Sequence, residues 1–213
     1  MKLKKLVLIS SLLLGLIPLS KAQNIRGSSH DFSTRTTTNL TGELCIVCHA
    51  PHGTDATAVP LWNHATTAQS FVTYTGYNFQ GINTITQPDG ASKLCLSCHD
   101  GVSAVNQFGG KPQGTNAPNT PMRTGTASNL GTDLSNDHPI SFVYNSALAT
   151  LDGALKDPST ATTSLGGTIA TDMLDISGKV QCPSCHEVHD QTIYKFGKIS
   201  NAGSALCLTC HNK

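Results

Sequence analysis

The chain has 213 residues, 38% hydrophobic, 5% aromatic and 13% charged, with 14 Lys and Arg set against 13 Asp and Glu. Near-neutral charge without a basic stripe excludes an electrostatic nucleic-acid binder. An apolar share this small, diluted by 19 Gly and 10 Pro, cannot offset the ordering entropy of so long a chain from side chains alone.

The first predicted segment is a leader, residues 1–22. Lys2, Lys4 and Lys5 precede an apolar run from Leu6 to Leu19, interrupted by Ser10, Ser11 and Gly15. Ser20-Lys21-Ala22 puts small residues at the third and first positions before a cut after Ala22. The alternative is an uncleaved membrane anchor, but a run of about 14 residues falls short of the roughly 20 that a spanning helix needs. Residues 23–213 are therefore expected to be exported, with no membrane anchor, as one domain with pseudo-repeat halves at about 23–135 and 136–213. Without the four leader lysines the chain has ten basic and thirteen acidic side chains, a net charge of −3 with His neutral.

Regular structure is expected to be sparse. Short helices are predicted around each of four cysteine motifs, with a short strand at Phe71 to Tyr74. One further helix is predicted near Tyr144 to Leu155, where Leu148, Leu151 and Leu155 recur at helical spacing. The stretch from Gly101 to Asp137 reads as loop, punctuated by Gly109-Gly110, Pro112, Gly114, Pro118, Pro121 and Gly125. The stretch from Asp157 to Gly178 reads the same way.

All eight cysteines fall in four copies of Cys-x-x-Cys-His: Cys45 to His49, Cys95 to His99, Cys182 to His186 and Cys207 to His211. This is the attachment signature of c-type haem. Two thiols at this spacing fall on one side of a helical turn, where both can form thioethers with porphyrin vinyl groups. The next residue then brings an imidazole under the iron. Disulfides and zinc sites are the competing uses of eight cysteines, yet neither calls for a His after the second Cys in every copy. Four covalently attached haem c groups are expected, on Cys45, Cys48, Cys95, Cys98, Cys182, Cys185, Cys207 and Cys210. The porphyrins supply the missing core, so the expected fold is mostly coil with short α-helices and little or no β-sheet, a multihaem cytochrome c fold.

The chain also repeats itself. Each half opens with an isolated His, then Cys-x-x-Cys-His-x-x-His, then Leu-Cys-Leu-x-Cys-His: His30, Cys45 to His52 and Leu94 to His99 in the first, then His138, Cys182 to His189 and Leu206 to His211. Each half thus carries four histidines for two irons. His49, His99, His186 and His211 are the proximal ligands. His30, His52, His138 and His189 are the candidate distal ligands. His52 lies one turn beyond His49, on the same side of that haem, so it serves another iron or none; the same holds for His189 and His186. Pro139 stiffens the backbone behind His138. His64, in Pro60-Leu61-Trp62-Asn63-His64, falls outside the scheme and is read as a non-ligand, with Leu61 and Trp62 packing on a porphyrin face. Of the methionines beyond the leader, Met122 and Met173 occupy no repeat position. All-histidine ligation implies low-spin, low-potential haems with no vacant coordination position.

These stretches resemble the doubled Cys-x-x-Cys-His multihaem cytochromes. They resemble more closely the extracellular tetrahaem cytochromes of metal-reducing bacteria that polymerise into conductive filaments. The resemblance rests on Ser29-His30-Asp31, Cys45 to Gly53, Pro60 to Asn63, Leu94 to Gly101, Asp137 to Phe142 and Cys182 to His189. It implies bis-histidine haems in a closely packed chain, and a histidine lent by one protomer to its neighbour's haem. His52 is the expected lent residue, placing the first haem of one copy beside the last haem of the next. Ligation of the second haem by His52 within its own chain, or lending of His30 instead, remain the alternatives.

Three functions follow from this reading. The first is an extracellular electron conduit, exchanging electrons with redox proteins or extracellular acceptors and self-associating head to tail. The second is a diffusible periplasmic shuttle, against which stands the scatter of Lys93, Lys111, Lys156, Lys179, Lys195 and Lys198 along the sequence. The third is a multihaem reductase, which needs an iron with an exchangeable position that this histidine count does not require.

Overall fold

The described helices are short, and side-chain caps close only some of them. The computed structural model describes residues 25–39, 41–54, 61–76, 79–81, 85, 87–115 and 120–212. The leader and its cleavage site lie outside the described residues, as do Pro60 and Pro118. The longest helix, α1, runs Gly90–His99 and buries Ser92, Leu94, Leu96 and Ser97. Helix α2, Ser146–Asp152, starts where the Asn145 side chain accepts from Leu148 N and stops at Gly153, whose φ of 73° closes the left-handed C-cap. It is shorter than the predicted span. Leu148 is buried in the core but Leu151 is 67% exposed, and Leu155 lies beyond the helix, bridged to His211.

Two expected loops contain structure. Strands β1 (Gln107–Phe108) and β2 (Lys111–Pro112) pair antiparallel, turning through Gly109 and Gly110 at φ 61° and 76°. Two glycines at positive φ are what a tight hairpin turn requires. Helix α3, Ile169–Asp172, is held by a reciprocal capping box between Thr168 and Thr171. The strand expected at Phe71 to Tyr74 does not form; Val72 makes one isolated bridge to Asp133.

Strand β3 (Phe142–Val143) pairs antiparallel with β4 (Lys179–Val180), which leads directly into helix α4, Cys182–Cys185. Helix α5 is Ala205–Cys210. The sheet content is thus two minimal ladders, and most of the described chain is coil. The larger apolar cluster joins Phe142, Tyr144, Leu148, Ala149, Ile169, Met173, Val180 and Ile199. A second, of Phe71, Leu96 and Leu134, packs on α1. Among the described residues no helix is long and apolar enough to cross a membrane.

The joint between the halves is polar. Asp89 pairs with Lys179 and accepts from Gln181 Nε2 at 3.0 Å; Cys182 N donates to Ser92 Oγ at 3.0 Å. These bonds press α1 against α4. Gly90 permits the approach, because a Cβ there would stand 3.1 Å from Gln181 Nε2.

Candidate haem sites

Three of the four motifs sit on helices. The second occupies the last turns of α1, the third is α4, and the fourth closes α5. The first motif departs from the expected helix: it is a hydrogen-bonded turn, with Cys48 N and His49 N both donating to Cys45 O at 3.1 and 2.8 Å. Residues 61–63 brace that turn from outside. Ala50 N donates to Leu61 O, Asn63 N to Cys48 O and Asn63 Nδ2 to Ile46 O.

The cysteine sulfurs are thiols in this structure and stand for the thioether sulfurs of a loaded chain. They form a row. Cys48 interacts with Cys95 and Cys98, Cys95 hydrogen-bonds Cys182, and Cys185 interacts with Cys207 and Cys210. Neighbouring motifs in sequence are therefore neighbours in space. Burial pushes the Cys48 and Cys210 thiols up to about 11, and raises Cys98 further. Cys182 goes the other way, lowered to about 7 by its hydrogen bond with Cys95. All eight sulfurs are free of disulfides. No cluster of three or more His, Cys, Asp or Glu that could hold a metal ion forms among the described residues.

The histidines meet in three pairs. Ring centres lie 6.2 Å apart for His49 and His189, 6.0 Å for His30 and His99, and 6.4 Å for His138 and His211. The interplanar angles are 25°, 64° and 79°. Two imidazoles on opposite sides of one first-row metal, bound through nitrogens at about 2.0–2.1 Å, have ring centres about 6.3 Å apart, once the depth of each ring is added. Aromatic pairs in general span roughly 4.5–7 Å, so distance alone is not specific. Membership is: each pair joins a motif histidine to a spare one. One of the three also joins the two halves, since His189 follows the third motif and meets the first.

The remaining two candidates are not brought together. His52 is exposed; the His186 ring makes no ring contact with a second imidazole among the described residues, though it lies within electrostatic reach of His30, and its Nδ1 faces Lys195 O at 3.0 Å. His64 is 3% exposed, with Nδ1 2.8 Å from Ala65 O and Nε2 3.5 Å from Cys98 Sγ, so both ring nitrogens are turned to protein groups. Met173 is 3% exposed inside the larger apolar cluster.

Several groups orient these rings that the motif reading did not include. His99 Nδ1 lies 2.7 Å from Ser128 O, His138 Nδ1 3.0 Å from Pro139 O, and His189 Nδ1 3.1 Å from Glu187 Oε1. Such outer partners fix a ligand's tautomer and raise its basicity. Glu187 was findable, standing between the two histidines of its motif; the carbonyls carry no sequence signal. Burial, then the nearby His99, holds His30 at about 4, well below the ordinary histidine value. The neutral ring it maintains is the metal-binding form. Trp62 stands edge-on to His49 at 6.2 Å, and its Nε1 is buried with no hydrogen-bond partner. An unmet donor beside a proximal ligand fits a cofactor that carries carboxylates.

Residues 176–213 match the family model for the doubled CXXCH motif. The matched stretch spans the third and fourth motifs. It indicates covalently bound haem c and an electron-transfer cytochrome feature. No curated protein matches the chain.

Proposed function

We propose that this protein is an exported tetrahaem c-type cytochrome, an electron carrier rather than an enzyme, whose irons are all held by two histidines. Bound haem c supplies a one-electron ferric–ferrous couple. The chain's own residues do the rest. Each cysteine pair would hold one haem covalently, the paired imidazoles would ligate its iron, and the succession of motifs would let electrons pass from one site to the next. The observation that carries this reading is the pairing of three motif histidines with three spare ones at the separation a shared iron requires.

The same pairing supports self-association. The contact between His211 and His138 supports moving the lent ligand away from the fourth site, where head-to-tail stacking had placed it. His186 is the motif histidine left without an imidazole, and His52 is the spare one. We assign His52 of one copy to the iron at His186 of the next. A contact of this head-to-tail kind propagates into an open filament unless its rotation closes a ring. The proposed location is the extracellular surface. A periplasmic shuttle is less well supported, because lysines that would steer docking are engaged internally: Lys179 with Asp89, Lys156 with Leu208 O and Lys198 with Asp172 O.

Electron microscopy of the native exported fraction tests the assembly. Wild type should form filaments with every haem low-spin, and His52→Ala should yield monomers with one high-spin haem. Monomeric wild-type protein, or normal low-spin filaments from His52→Ala, contradicts the assignment.

A further inference from the structure

The turn at residues 194–197 touches the ligands of two neighbouring irons, and we propose that Phe196 is a positioning residue that sets the ligand-plane angle at the iron of His99. The inference rests on the bis-histidine reading and adds to it a residue outside every haem motif. Phe196 stacks on His30 with ring centres 4.8 Å apart and planes 18° apart. His99, His138, His186 and His189 are each oriented by an Nδ1 contact to oxygen. The His30 ring has no such hydrogen bond among the described residues, so the stack is what fixes its rotation.

The backbone holds Phe196 at that ring deliberately. Lys195 and Phe196 both adopt left-handed conformations, φ 57° and 59°, which side-chain-bearing residues avoid. The conformation persists because both flanks are tied to the third motif. Glu187 N donates to Phe196 O at 2.7 Å, Lys198 N donates to Cys185 O at 2.8 Å, and Gly197 bridges His186. One turn thereby presents a carbonyl to His186 and a flat apolar ring to His30. Its strain is offset by placing both ligands at once.

The consequence is electronic. Steeply crossed imidazole planes keep the two iron π orbitals close in energy and give a strongly anisotropic low-spin electron paramagnetic resonance signal. Nearly parallel planes split those orbitals and give a rhombic one. The angles of 64° at His30 and His99 and 79° at His138 and His211 belong to the first kind, and 25° at His49 and His189 to the second.

Resonance spectra of oxidised, fully loaded protein test this. Phe196→Leu keeps apolar volume but removes the flat ring, and Phe196→Tyr restores it. We expect Phe196→Leu to retain every haem low-spin while one strongly anisotropic signal shifts toward rhombic, and Phe196→Tyr to match wild type. An unchanged Phe196→Leu spectrum overturns the proposal. So does a Phe196→Leu protein in which one haem turns high-spin, because Phe196 would then be needed for ligation itself rather than for angle. His30→Ala separates this from failure of the underlying reading: if that variant keeps all haems low-spin, His30 is no ligand and the bis-histidine pairing fails first.

Discussion

Removing one distal imidazole at a time reports on one iron at a time. His189→Ala should make the haem on Cys45 and Cys48 high-spin and open to carbon monoxide, and His30→Ala should do so for the haem on Cys95 and Cys98. An all-low-spin spectrum from either variant contradicts that pair. Glu187 tunes rather than ligates. On the bis-histidine reading its carboxylate, accepting from His189 Nδ1, would stabilise the ferric state. Both groups are about half exposed, so the contact contributes about 0.2–1 kcal/mol, roughly 10–40 mV for one electron. Glu187→Gln should raise one midpoint potential by that amount in a redox titration, and a downward shift would reverse the argument. The four motifs were legible because four identical spacings encode them locally. The pairing was not: whether His189 meets His49 or His211 depends on how two distant segments fold together, and no local pattern records that.

At the scale of elements, composition and chemistry explain both successes and misses. The helix at Ser146–Asp152 announced itself by leucine spacing, and its ends follow from Asn145 and Gly153. Asn145→Ala should lower stability by about 1 kcal/mol through the lost N-cap, read as a lower melting temperature with unchanged haem spectra; an unchanged melt would show the cap contributes nothing. Helix α3 was missed because four residues are too few to display a period. The first motif was expected to be helical like the others, yet carries Ile46-Val47 where the second and fourth carry Leu-Ser and Leu-Thr. Two adjacent β-branched side chains crowd a helical turn, and the chain settles for a single turn braced by Asn63. Gly109-Gly110 was read as punctuation, although it also turns the β1–β2 hairpin.

At the scale of the whole molecule, histidine ring contacts join segments far apart in the chain. His30 and His99 tie the start of the described chain to α1, and His49 with His189 ties the first motif to the third. With two small apolar clusters and a polar joint, such a chain would gain stability from a cofactor that binds only the folded state. The composition raises the same expectation, since so low an apolar fraction calls for a core from elsewhere. The denatured intact mass of the exported protein tests the central claim most directly. The account predicts a polypeptide beginning at Gln23 with four haems retained after acid-acetone extraction, and a mass showing fewer haems, disulfides or zinc would contradict it.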